Sequence, residues 1–147
     1  MTAESLMGNP AFVVYAVTAV VLVLDLLFLW VYSGVVRGGT KTAINEEDAA
    51  QFGSTLVAGD PPEVARVLRA HRNAEASIYP FLVLGLVFVL AGGSAGTAKI
   101  IFGIYVAARL LHTAVYLAGK QPWRAIAFVT GLLASVALIV AIVRLLM

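Results

Sequence analysis

The sequence predicts an all-α fold, an integral membrane bundle of four helices, and three observations predict it. Hydrophobic residues make up 61% of the chain and charged residues 12%, about half the charged share of a soluble domain. The apolar residues gather into four runs that cross, or can be extended to cross, a hydrocarbon core about 30 Å thick. Glycine and proline mark most of the junctions between those runs.

The first run, Ala11 to Val36, carries a single charge, Asp25, and supplies the roughly 20 apolar residues a span requires. It is too long for a signal-peptide core and lacks a basic leader and a small-residue cleavage site, so it is expected to be retained. The second run, Ile78 to Ala91, is too short to span alone, so its helix must reach back through the charged stretch from Val64 to Ser77. Asp60 is placed to cap that helix, Pro61 suits its first position, and Glu63 completes an Asp-x-x-Glu capping box. From Pro61 to Ala91 the helix would be about 45 Å long, so part of it must project beyond the hydrocarbon. Gly92 and Gly93 end it. The third span, Ala98 to Ala118, is closed by Gly119 as a C-terminal cap, and Pro122 starts a fourth that runs to about Leu146. The loop over 37–60 holds one short helix, capped by Asn45 and ending near Gly53. No repeat interrupts the chain, and 1–147 reads as one domain.

If the spans alternate in direction, one end collects Arg37, Lys41, Arg66, Arg69, Lys120 and Arg124, while the other has only Lys99 and Arg144. The positive-inside rule places the cationic end, with the 37–60 loop, in the cytoplasm. Two polar stripes lie in that half, because residues three, four and seven apart share a helix face. One is Arg69, Arg72, Asn73, Ala76 and Pro80; the other is Tyr105, Arg109, His112, Thr113 and Tyr116. Ionisable groups inside a membrane are costly unless they face protein or a wet cavity. The stripes are therefore expected to line one basic cavity with Arg37 and Arg124 at its mouth. The bland alternative is structural pairing, Arg109 with Asp25 or Arg72 with Glu75, but so many unbalanced cations at one depth exceed what pairing needs. Trp30 and Trp123 read as interface anchors.

Guanidinium clusters suit a ligand with more than one carboxylate, and cations beside a thiol favour its thiolate. The chain has no cysteine, so any sulfur chemistry must use a thiol brought by a ligand. His71 and His112 stand far apart with no metal-ligand spacing, so no metal is expected, nor is a nucleic-acid partner. The residues alone reach an anionic ligand at the cytoplasmic side.

The segments Leu68-Arg-Ala-His-Arg-Asn73 and Ile78-Tyr-Pro-Phe-Leu82, with Arg109-Leu-Leu-His-Thr-Ala-Val-Tyr-Leu117, resemble signature stretches of the MAPEG superfamily, the membrane-associated proteins in eicosanoid and glutathione metabolism. The likeness is strongest to its prostaglandin E synthase-like members. It continues through Val36-Arg37, Asn45-Glu-Glu-Asp48-Ala49 and Pro122-Trp-Arg124, and so covers nearly the whole chain in order. The resemblance implies a homotrimer that holds glutathione between neighbouring subunits near the cytoplasmic face. By position, Arg72, Asn73, His112, Tyr116 and Arg124 would contact glutathione, Arg37 would reach it from the adjacent protomer, and Arg69 would lie close by. Arg124 would stabilise the thiolate, with Asp48 assisting. Three departures stand out: the superfamily's glutamate three residues after Asn73 is Ala76, the serine after the catalytic arginine is Ala125, and a nearby tyrosine is Phe128. Asp25 replaces a lysine, which implies a rewired pairing toward Arg72 or Arg109.

The resemblance thus implies a glutathione-dependent transferase or peroxidase acting on a lipophilic electrophile that enters from the membrane lipid. A glutathione-dependent endoperoxide isomerase is a close variant, disfavoured by the missing serine and tyrosine. A non-catalytic lipid-binding scaffold is opposed by the retained Arg72, Asn73, Tyr116 and Arg124. A transporter is opposed by the lack of inverted repeats.

Overall fold

The computed structural model describes residues 8–147; the first seven residues of the domain predicted over 1–147 lie outside them. Along the described chain run α1 (Pro10–Thr40), β1 (Thr42–Ala43), α2 (Glu46–Phe52), β2 (Thr55–Leu56), α3 (Pro62–Leu90), α4 (Ala95–Leu117) and α5 (Trp123–Leu146). The four long helices are each apolar and long enough to cross a membrane. α1 packs on α3 and α4, α5 packs on α4 and α3, and α1 and α5 make no contact among the described residues. The bundle is therefore a rhomb, with α3 and α4 in contact across its short diagonal and α1 and α5 at the two far corners.

α1 starts where Asn9 Oδ1 accepts the Ala11 amide at 2.9 Å, with Pro10 at the first position. It runs four residues past the predicted end at Val36. Gly38 and Gly39 do not stop it; Lys41 does, in the left-handed conformation at φ 52°. This keeps Arg37 in the last turn, where a cation suits the helix dipole.

The loop is more ordered than expected. Asn45 caps α2 as predicted, its Oδ1 accepting the Asp48 amide at 2.8 Å, and Gly53 ends α2 at φ 59°. β1 and β2, which the sequence did not signal, pair in parallel across it.

The predicted start of the second span is corrected. α3 begins at Pro62, with Pro61 in the capping position and no side-chain cap. Asp60 is engaged elsewhere: its Oδ1 accepts from Arg37 Nη2 at 2.6 Å, which ties the end of α1 to the entry of α3. At the far end Gly92, at φ 82°, turns the chain and the Gly93 amide reaches back to the Phe88 carbonyl at 2.9 Å. Ser94 then caps α4 by accepting the Thr97 amide.

The core forms where apolar stripes meet between these helices, through Leu22, Leu29, Ile78, Phe102 and Leu138, all fully buried. The Phe81 ring stacks on Tyr105 at 3.5 Å between centroids, and Phe102 meets Phe81 edge-on at 5.5 Å. Only about a third of the most apolar stretch of each long helix is buried within the chain. The remaining apolar side chains, such as Val17, Leu24 and Leu133, face outward, as a lipid solvent permits. Trp30 and Trp123 are exposed as well.

Candidate functional site

Alternation of the spans brings the end of α1 and the starts of α3 and α5 to the end of α4. Arg66 confirms the arrangement, since its guanidinium lies against Gly119 in the α4–α5 turn. This is the cationic end, and the polar side chains below it fall into three groups.

The first group is contiguous. Arg109, 1% exposed, donates through Nη2 to Asn73 Oδ1 at 3.0 Å and to His112 Nδ1 at 3.2 Å. A guanidinium only donates, so Nδ1 is the acceptor and the ring proton of His112 sits on Nε2. His112 meets the Tyr116 ring edge-on at 5.5 Å and lies 6.4 Å from the Phe128 ring. Arg124, in the first turn of α5, stands over the Tyr116 face at 4.8 Å, a cation–π geometry. A chain of contacts thus links Asn73 on α3 through Arg109, His112 and Tyr116 on α4 to Arg124 on α5. Below it lies a cavity of about 270 Å³, bordered by Asn73, Ser77, Tyr105, Arg109 and Ser135 and by the apolar Pro80, Phe128 and Leu132.

The second group lies at the α1 end. Arg37 and Asp48 border a separate cavity of about 350 Å³ with Thr42 and Ser54. The Arg37 Nη2 pairs with Asp60 while its Nε, buried, has no partner among the described residues. Asp48 Oδ2 accepts from Asn45 Nδ2 at 3.0 Å. Arg37 therefore does not stand at the mouth of the cavity beside Arg124.

The third group is Arg69 and Arg72, both exposed, which make no hydrogen bond or ion pair among the described residues. Arg72 and Asn73 are adjacent on a helix and so diverge by about 100°. Asn73 turns inward to Arg109 and Arg72 turns outward.

Two expected pairings do not form. Asp25 is buried, and its Oδ2 accepts from Thr113 Oγ1 at 3.0 Å, with neither Arg72 nor Arg109 within ion-pair distance. Glu75 faces His71, at 3.8 Å, and the Tyr79 hydroxyl, at 3.4 Å, rather than Arg72. It borders a groove with Trp30 on the α1 side, so it does not stand in for the carboxylate missing at Ala76. Asp25→Asn keeps an oxygen for Thr113, whereas Asp25→Leu leaves a buried hydroxyl without its acceptor at a cost of about 1 kcal/mol. Thermal unfolding in detergent should therefore rank wild type and Asp25→Asn together and Asp25→Leu below them.

Arg109 is the residue that joins the first group, yet the sequence had suggested only a wall position or a pairing with Asp25. Ser77 and Ser135 gave no signal, because a serine within an apolar helix also reads as a packing residue.

The sequence pattern of the MAPEG family matches residues 15–144. The human prostaglandin E synthase is 35% identical over 130 residues, covering 87% of this chain and 86% of that protein. The rat microsomal glutathione S-transferase 1 is 36% identical over 133 residues, with 87% and 86% covered, and the pig protein of the same name is 35% identical over 131. A match of this extent, over the four spans and the polar contacts between them, places this integral, multi-pass membrane chain in the MAPEG family.

Proposed function

We propose that the protein is a membrane-bound, glutathione-dependent transferase or peroxidase whose second substrate is a lipophilic electrophile. The observation that carries the reading is the contact chain from Asn73 through the buried Arg109 and His112 and the half-buried Tyr116 to Arg124 at the cationic end. Its donor set fits an acidic, thiol-bearing tripeptide: two guanidiniums, a carboxamide, an imidazole Nε2–H and a phenol, with no carboxylate among them. Glutathione supplies the nucleophilic sulfur when bound. The chain's own residues orient it and stabilise charge, so the catalysis is positioning and electrostatics. Arg124 holds positive charge where a thiolate would lie, and the start of α5 adds its dipole. Asn73, His112 and Tyr116 orient the peptide, and Asp48 is the acid proposed to assist.

A homotrimer is part of the same reading. Arg69 and Arg72 lie on an exposed face of a membrane helix without a partner among the described residues, a face which a neighbouring subunit and its ligand would cover. Arg37, set apart from Arg124 within one chain, would then complete the site of an adjacent protomer. The charge asymmetry supports a site that faces the cytoplasm. An endoperoxide isomerase is the second reading, favoured by the prostaglandin E synthases among the relatives; Ala125 and Phe128 deny it a serine and a tyrosine at the thiol.

Glutathione added to the detergent-purified protein should develop ultraviolet thiolate absorbance at neutral pH, and a generic electrophile should be turned over. The absence of both signals from the wild type overturns the reading.

A further inference from the structure

Arg124 ends the contact chain, and no carboxylate stands within ion-pair distance of it among the described residues. It lies in the first turn of α5, where the helix dipole disfavours a cation. A guanidinium serving only the packing of the bundle would be given an acid or placed at the other end of a helix. Two uncharged groups hold this one instead. The first is the face of the Tyr116 ring, at 4.8 Å. The second is Gln121, in the turn between α4 and α5, whose carboxamide oxygen accepts from Arg124 Nη2 at 2.6 Å and from Nε at 3.1 Å. A guanidinium only donates, so the carboxamide presents its oxygen and not its nitrogen.

Both holders belong to one rigid piece. The Gly119 amide bonds the Tyr116 carbonyl at 3.1 Å, the Lys120 amide bonds the Val115 carbonyl at 3.0 Å, and the Arg124 amide bonds the Lys120 carbonyl at 3.2 Å. The turn that carries Gln121 is thereby tied to the last turn of α4, which carries Tyr116. The ring fixes the plane of the guanidinium and the carboxamide fixes its rotation within that plane. Gln121 occupies the Nε edge and leaves the outer fork of Nη1 and Nη2 open to a ligand. A carboxylate in its place would hold the same edge and cancel the charge.

We propose that Gln121 is a positioning residue for the thiolate: as an uncharged acceptor it locks Arg124 in place and leaves its positive charge uncompensated toward the sulfur. The role at the thiol rests on the glutathione reading above, in which Arg124 faces that sulfur.

One test needs no glutathione. The Arg124 Nε–H of isotope-labelled protein in detergent is followed by NMR, assigned by its absence in Arg124→Lys. Its exchange with solvent should be about tenfold faster in Gln121→Ala, the scale of one lost hydrogen bond to a charged group. In the other test, the thiolate absorbance of bound glutathione is titrated against pH in wild type, Gln121→Ala and Gln121→Glu. The midpoint should rise in that order, and by about one unit or more in Gln121→Glu, because a carboxylate beside the guanidinium offsets its field at the sulfur. The other charged and titratable groups around the site, His112 and Tyr116 on α4, Lys120 in the turn and Arg66 of α3 against Gly119, are common to all three proteins. A glutamine that served only the fold would be replaced well by glutamate, which accepts the same bonds. Unchanged Nε–H exchange in Gln121→Ala, or a Gln121→Glu midpoint equal to that of the wild type, overturns the proposal. A wild type without any thiolate band overturns the glutathione reading and the role at the thiol with it. The exchange measurement tells that failure from a failure of Gln121 to hold Arg124.

Discussion

Arg124→Ala is expected to abolish the thiolate absorbance of bound glutathione and to lower turnover by about 10²- to 10³-fold, the usual loss when one preorganised charge-stabilising donor is removed. Arg124 is half-buried and held over the Tyr116 ring, so its charge is fixed before any ligand arrives. A free thiol ionises near pH 8.5, and each unit of lowering corresponds to about 1.4 kcal/mol of preference for the thiolate. A cation that sets this preference acts on the sulfur more than on the peptide. Calorimetry should therefore find glutathione still bound by the variant while the absorbance is gone, and Arg124→Lys should restore part of it. Unchanged absorbance in Arg124→Ala would remove Arg124 from the thiol.

Arg72→Leu is expected to weaken glutathione binding by well over tenfold, in keeping with about 1.5–3 kcal/mol for a hydrogen bond to a charged group. The same substitution should leave thermal stability within about 0.5 kcal/mol, since the side chain is exposed and makes no bond among the described residues. That combination, a large binding loss without a folding loss, is what a residue serving an interface should show. Calorimetric titration beside a thermal melt reads both, and an unchanged dissociation constant would remove Arg72 from the site.

Much of the architecture was legible because a bilayer imposes a length. A run as short as Ile78 to Ala91 could not cross it, which forced the charged stretch before it into the same helix, and α3 does contain both. The misreadings share a cause, which is that local pattern outweighed partners distant in sequence. Asp60 before two prolines looks like a cap, but Arg37 arrives from 23 positions earlier and takes the carboxylate. Asp25 invited a cation, yet its partner is Thr113, 88 positions away, which stood in the polar stripe of the third span without being read as a donor to an acid. The stripe from Arg69 to Pro80 was read as one face, although neighbours on a helix diverge by about 100°, enough to send Asn73 to Arg109 and Arg72 outward. The contact chain to Arg124 was foreseeable as a set of residue types at one depth. One cavity was foreseen too, since Asn73, Ala76, Pro80, Tyr105 and Arg109 of the two stripes border it; that Arg37 and Asp48 border a separate one was not, because that space depends on the loop fold.

The unequal lengths of the spans have a consequence for where water ends and oil begins. α3 and α4 are joined by only Ala91–Ser94, so they are level at that end, and α3 is 29 residues long where α4 has 23. The six extra residues raise α3 by about 9 Å over its neighbour at the cationic end. The rim there is stepped, with a wall made by the end of α1 and the start of α3 and a low sill at the α4–α5 turn, where Trp123 is exposed. Lipid headgroups can settle on the sill while solvent stands against the wall. On the proposed reading, that step would let a reactant dissolved in water and one dissolved in the bilayer reach the same height from opposite sides, without either crossing the other's phase.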